Sequence, residues 1–517
     1  MNRPNILMIA VDCLRSDRVF AKDRTCRTPS IDDLVKRGIG LPNMIVENSI
    51  TAPAFTSLLT GCYSLAHDVT GLLGVRMNPE MVTAADLLVA NGYHTYAEVT
   101  GPLLPAVGLD QGFDEYNYRD QSEYFFTPWG EKLLQRFREG GFIEPWFVMV
   151  HFWEVHEPRQ VPPEFDAPEW GATRYDQAVS ALDGYIGKLA EAAGEKTTVL
   201  FTGDHGERVT EKINPDSLLP YFMNKLNIPM LDKEEDTRVM EDVELLHKRG
   251  QELHDVSRNL LTTTGKGENR LGWGSRLKML FKLIRVALTR MRTQKRKPGW
   301  SGFVELLRLK WNDFLIGWSV FRGNAMAAQM QLLRTTLGQF YLQHGYHIYE
   351  YLSRVPFVAV NLPEQQQSKR VEAEVRNIDV LPTLCEALSL DLPSLSWHGE
   401  SFLSALNGET DASRPLYMET RGGAQATHAF YVRGVRASGF KLAYAPNEKQ
   451  APVELYDLKN DPHEQANIAS SYPDMVKRLR DEAESMAQAL VQSGDAREVS
   501  PQEQAAMIEK LKSLGYM

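Results

Sequence analysis

Asn5-Ile6-Leu7-Met8-Ile9-Ala10-Val11 runs without a charge and stops at Asp12. An apolar, β-prone run of this kind reads as a parallel strand buried on both faces, delivering a polar residue at its carboxyl edge. Comparable runs recur at Trp146–Val150 before His151, at Thr197–Thr202 before Gly203-Asp204-His205, and at Pro356–Val360. Helical patterns such as Tyr175–Ala192 lie between them. Strands alternating with helices predict an α/β fold, a doubly wound and mostly parallel sheet whose ligands sit at the carboxyl ends of the strands. Asp12, His151, Asp204 and His205 all fall at such ends.

A chain of 517 residues with 43% hydrophobic content can bury one large core and a smaller one. Its formal charge of -10 argues against a nucleic-acid binder, which needs net basic surface. Cys13, Cys26, Cys62 and Cys385 form no CxxC pair and no zinc-knuckle spacing, so neither a disulfide framework nor a knuckle is expected, and a reducing compartment fits best. The first apolar run is too short for a signal sequence. No stretch reaches the roughly 18 uncharged apolar residues of a membrane span. The expected location is cytoplasmic.

Residues 208–340 change character, from strand signals to long helical patterns. No acidic residue occurs between Asn269 and Val304, while basic residues accumulate from Arg276 to Lys297 and Leu277, Leu280, Phe281, Ile284, Leu288 and Met291 share one helical face. Such a basic amphipathic helix either packs its apolar stripe on the catalytic domain or a second subunit, giving a homo-oligomer, or makes a peripheral membrane contact through 276–297. The domains expected are a catalytic α/β unit from 1–207 and 341–413, a helical basic insertion at 208–340 acting as lid or interface, and a small α+β C-terminal domain at 414–517.

Two carboxylates and an imidazole, Asp12, Asp204 and His205, make a donor set suited to a divalent cation such as Zn²⁺ or Mn²⁺. Thr51, in Asn48-Ser49-Ile50-Thr51-Ala52-Pro53-Ala54-Phe55, completes it. A threonine hydroxyl is a poor nucleophile until coordination lowers its pKa. The segment from Phe55 can start a helix whose N-terminus presents donors to an anion.

The chain resembles the sulfatase family of the alkaline phosphatase superfamily over most of its length. The resemblance rests on Pro4-Asn5-Ile6-Leu7-Met8-Ile9-Ala10-Val11-Asp12, on Thr51-x-Pro53 leading to Thr60-Gly61, on His151-Phe152-Trp153-Glu154-Val155-His156, and on Gly203-Asp204-His205-Gly206-Glu207. His344-Gly345-Tyr346-His347-Ile348-Tyr349-Glu350, Ile378-Asp379-Val380-Leu381-Pro382 and Glu454-Leu455-Tyr456-Asp457 follow in the family's order. It implies metal ligation by Asp12, Thr51, Asp204 and His205, and catalysis by Thr51 with His156 and His347 nearest the reacting group. Glu154, His151 and His344 are candidates for substrate binding or a second metal; packing and orientation of neighbours are the plainer roles for His151 and His344. Glu207 is expected to support the site or start a helix, and Arg354 and Asp379 to be structural.

Departures from the family matter more for the reaction. Family sulfatases carry Cys or Ser in a C/S-x-P-x-R motif that is converted to formylglycine, whereas this chain has Thr51, with Phe55 in place of the arginine. Threonine has no route to that aldehyde. Superfamily members with threonine here act on phosphate diesters or transfer phosphoryl groups, so the resemblance implies a metal-dependent hydrolase or transferase of phosphate diesters or phosphonate monoesters. Cys13 stands where many sulfatases have a second aspartate, which favours Zn or Mn over Ca or Mg, as one or two ions. The substrate expected is a small-molecule or lipid-linked anionic ester. Alternatives are a sulfuric ester hydrolase working without formylglycine and a catalytically weak binding protein on the same scaffold.

Overall fold

Strand β1 (Ile6–Val11) is fully buried and takes the centre of a nine-stranded sheet in the computed structural model. The structure describes residues 3–72, 75–120, 123–157, 159–209, 211, 217–225, 344–363, 369–390, 397–405, 414–422, 431–491 and 501–513. The main path of the sheet runs β4 (Glu115–Tyr118), β3 (His94–Val99), β5 (Trp146–Phe152), β1, β6 (Thr198–Gly203), β7 (Arg354–Val360), β2 (Ile39–Ile45), β8 (Lys369–Arg370), with β9 (Val375–Arg376) also paired to β2. Both neighbours of β1 are parallel to it, so neither of its faces meets solvent and its alternation is lost. Helices Pro29–Arg37 and Arg174–Ala193 pack their apolar faces with β1, β5 and β6 in the main core.

The run at Pro356–Val360 is a strand, but not a parallel one. β7 pairs antiparallel with both β6 and β2. A buried apolar run carries no mark of direction, so this reversal had no signal in the sequence. Its consequence is positional: the segment entering β7, residues 344–353, lies at the same edge as the carboxyl ends of β1 and β6. Gly206 makes that approach tight. A Cβ there would stand 2.0 Å from the carbonyl oxygen of Tyr351, and the Gly206 amide donates to Leu352 at 2.7 Å.

A second, antiparallel sheet follows, ordered β10 (Leu416–Thr420), β11 (Val432–Ala437), β12 (Phe440–Tyr444), β13 (Glu454–Asp457). Helix Pro473–Leu490 covers it through Leu479 and Ala483. This sheet grips the entry to β7: the buried Lys441 Nζ donates to Ile348 O at 2.8 Å and meets Glu350 at 3.1 Å and Glu464 at 2.5 Å. The chain divides into two compact units, Met1–Leu226 with Leu342–Met507, and Asn227–Tyr341 with Ile508–Met517. The basic helix of 276–297 lies outside the described residues. No described helix is long and apolar enough to cross a membrane, and all four cysteines are free and buried.

Behind helix Thr51–Thr60 lies a buried polar network. Ser57 Oγ is 2.7 Å from Glu47 Oε1 and 2.9 Å from His67 Nε2. His67 Nδ1 accepts from the Val69 amide at 3.2 Å, so its proton sits on Nε2. Ser64 Oγ lies 3.0 Å from Glu47 and 3.3 Å from Glu419, and its single proton serves only one of them. A proton on Glu47 resolves the conflict. Burial, helped by Glu419, pushes the Glu47 carboxyl up to about 8. The folded state therefore keeps a proton that the unfolded chain releases near 4.5; the stability from this group is full below that value and is lost as pH rises through about 8. Glu47→Gln should flatten that loss, on the order of 1 kcal/mol per pH unit across the window. Parallel denaturant titrations of both proteins from mildly acidic to alkaline pH check this, and equal slopes would reject a protonated Glu47.

Candidate active site

Strand register sets the site. Val11 of β1 pairs with Phe152 on one side and Gly203 on the other, so the next residues, Asp12, Trp153 and Asp204, leave the sheet at one level. β2 ends at Ile45 and leads into Thr51, the first residue of a ten-residue helix. Thr51, Asp12, Asp204 and His205 converge here, each at most 3% exposed.

The carboxylate of Asp204 is held by one oxygen. Its Oδ1 accepts the amides of Cys13 at 3.0 Å and His205 at 2.7 Å, while the buried Oδ2 has no hydrogen-bond partner among the described residues. His205 Nδ1 donates to the Gly206 carbonyl at 2.9 Å, which leaves the lone pair on Nε2. That nitrogen faces Thr51 Oγ1 at 3.1 Å, Asp204 Oδ2 at 3.4 Å and Asp12 Oδ1 at 3.9 Å. Thr51 Oγ1 is also 3.4 Å from Asp12 Oδ2. Burial and the nearby Asp12 push the Asp204 carboxyl up to about 6. Burial would raise Asp12 as well, but His156, His151 and His205 together hold it well below the usual carboxylate range.

More donors stand around this core. His156 directs Nδ1 at the Glu157 carbonyl, stacks on Trp153 at 3.8 Å, and burial lowers its pKa to about 3. His344 stands 4.6 Å from His205 and 5.1 Å from His156, ring to ring, with Glu207 3.2 Å from its Nδ1. Cys13 Sγ is 2.9 Å from Asp12 Oδ1 and 3.7 Å from His344 Nδ1. Among the described residues, three triads have donor atoms within 4.8 Å of one another: Asp12 with Asp204 and His205, Asp12 with Cys13 and His156, and Cys13 with His205 and His344. Crowded carboxylates, an orphaned Asp204 oxygen and an imidazole lone pair turned inward fit a divalent cation.

The sulfatase family model matches residues 4–390, and a second, for the C-terminal region of N-sulphoglucosamine sulphohydrolase, matches residues 338–489. This chain belongs to the sulfatase family. Its fold is alkaline-phosphatase-like. Among solved structures it is similar to a phosphonate monoester hydrolase of Agrobacterium radiobacter, with TM-score 0.59, 15% identity, and coverage of 94% of this chain and 96% of that one. A 2-O GAG sulfatase matches with TM-score 0.55 and 16% identity over 97% and 96% of the two chains. A curated relative, the Delta 4,5-hexuronate-2-O-sulfatase of Bacteroides thetaiotaomicron, is 28% identical over 123 residues, 23% of this chain and 25% of that one. The match thus spans a quarter of that relative's length.

Of the other residues singled out in this sulfatase-family chain, His151 borders that cluster and the rest have partners of their own. Glu154 spends its carboxylate on the amides of Phe125 and Trp153, both at 2.7 Å, beside Arg119 at 3.8 Å. Its partners tie a distant loop to the end of β5, so Glu154→Ala should cost about 2–4 kcal/mol of stability while the bound cation remains; urea midpoints with metal analysis test both halves. His347 turns its Nε2 to Glu454 at 3.2 Å and stacks on Tyr349 at 3.5 Å, and is in none of the donor triads found among the described residues. His151 Nε2 reaches Asp12 at 3.4 Å, and its ring meets the edge of Phe55 at 5.0 Å. Arg354 pairs with Glu350, and Asp379 accepts the amides of Arg376 and Glu400.

Proposed function

We propose that this protein is a metal-dependent phosphohydrolase or phosphotransferase acting on phosphate diesters or phosphonate monoesters, with Thr51 as the covalent nucleophile. The observation that carries this is the Thr51 hydroxyl, buried at a helix start 3.1 Å from His205 Nε2 and 3.4 Å from Asp12. A divalent cation held by Asp12, Asp204 and His205, with Thr51, would lower the hydroxyl pKa and offset charge on the transferring group.

Thr51, whose proton a bound cation would release to solvent, attacks phosphorus through Oγ, and the leaving alcohol takes a proton as its bond to phosphorus breaks. His344 suits that donation, since the Glu207 carboxylate beside Nδ1 favours a proton on the ring. His156, held neutral by burial, suits contact to a phosphoryl oxygen. His347, paired with Glu454, supports the segment that carries His344. Water or a second hydroxyl then releases the group from Thr51.

Phe55 puts an aromatic edge, not a cation, beside His151, which fits a monoanionic ester better than a dianionic one. Sulfate monoesters are monoanions too, and the family matches favour them as the second reading; the nucleophile separates the two. Rapid acid quench during turnover of an aryl phosphonate monoester should leave the phosphonyl group on Thr51. Hydrolysis at full rate with Thr51 unmodified at every quench time would refute the nucleophile.

A further inference from the structure

We infer that Cys13 is itself a ligand of the catalytic cation, so that the site is a mixed sulfur, nitrogen and oxygen centre. The inference rests on the cation reading of the Asp12 cluster and goes beyond it in naming a thiolate donor.

Position comes first. Cys13 follows Asp12 directly and is fully buried. Its backbone lies in the left-handed region at φ 61°, where a non-glycine residue stores on the order of 1 kcal/mol or more. The surroundings enforce that conformation from both sides. The Cys13 amide donates to Asp204 Oδ1 at 3.0 Å, and its carbonyl accepts the Tyr175 hydroxyl at 2.6 Å. Tyr175 also accepts the Arg15 amide at 3.0 Å. The clamp turns the side chain back over Asp12 rather than into the apolar core.

Geometry comes second. Neighbouring donors on one zinc ion stand roughly 3–3.5 Å apart, given bond lengths of about 2.0–2.3 Å. Cys13 Sγ is 2.9 Å from Asp12 Oδ1, a donor of the cation site, so one ion can reach both. Among the described residues Cys13 forms a donor triad with Asp12, itself a ligand of the cation, and His156. A second sign of a missing partner lies beside it: Asp204 Oδ2, on a residue 3% exposed, has no hydrogen-bond partner among the described residues.

Chemistry comes third. On binding, the thiol proton is released to solvent and a sulfur–metal bond takes its place. Thiolate is a soft ligand that favours zinc, cobalt or cadmium over magnesium or calcium. Where an aspartate here would suit a hard cation, Cys13 biases the same pocket toward a borderline one.

The test uses the full chain, freed of metal and reloaded with Co²⁺, with absorption and bound cobalt read together. The wild type should develop a near-ultraviolet sulfur-to-cobalt charge-transfer band that saturates with the bound metal. Cys13→Ser should bind cobalt at least tenfold more weakly and show no band when loaded. A variant with Cys26, Cys62 and Cys385 all changed to Ser should keep the band in full, which assigns it to Cys13 even if Cys13→Ser fails to fold. Cobalt bound without the band, or a band that persists in loaded Cys13→Ser, overturns the thiolate ligand while leaving the cation site standing. No cobalt bound at all removes both.

Discussion

Thr51→Ala should lower kcat on a phosphonate monoester or phosphate diester by about 10⁴-fold or more, the scale of losing a covalent nucleophile. The side chain is small and sits at the first position of its helix, so the fold should lose only about 1 kcal/mol. Bound cation should fall modestly, because Asp12, Asp204 and His205 remain. Thr51→Ser keeps the hydroxyl between Asp12 and His205 and should retain a substantial fraction of turnover. The pair separates nucleophile from packing: a structural Thr51 would make Ser and Ala alike. Steady-state kinetics with thermal unfolding of the same preparations check the result, and an active Thr51→Ala enzyme would remove the hydroxyl from the mechanism.

Asp204→Asn has opposite effects on the two states of the protein. In the loaded enzyme it removes a charged donor whose Oδ2 faces His205, and cation affinity should fall on the order of 10²-fold or more. In the chelated protein it relieves the burial of charge and the repulsion by Asp12 that together raise the Asp204 carboxyl to about 6, so the variant should be the more stable of the two, by about 1 kcal/mol or more. Calorimetric metal titration gives the first number and denaturant midpoints in chelator give the second. A variant that loses stability in chelator while keeping its cation would show Asp204 to be a packing residue.

Much of this was legible in the chain because strand ends announce themselves. Uncharged runs stopping at Asp12, His151 and Gly203-Asp204-His205 marked one sheet edge, and a parallel register brings β1, β5 and β6 level there. What could not be read was direction and reach. β7 looks like its neighbours in sequence and runs the other way, which carries residues 344–353 to the site. His344 therefore stands among the donors, 4.6 Å from His205, although its plainest role in sequence was packing. Glu154 looked like a ligand because carboxylates near histidines often are; its lone pairs are taken by amides, one from Phe125 far along the chain. Cys13 was noticed only as a lost oxygen ligand. Its adjacency to Asp12 was visible, but the backbone turn that aims Sγ at the site belongs to Tyr175 and Asp204, residues more than a hundred positions away.

The most direct measurement compares kcat/KM of the purified, zinc-loaded enzyme for an aryl phosphonate monoester and an aryl sulfate sharing one leaving group. With a threonine nucleophile the phosphonate should be favoured by about 10²-fold or more, a difference of roughly 3 kcal/mol in transition-state stabilisation. Sulfate turnover equal to or above phosphonate turnover would contradict phosphoryl transfer through Thr51.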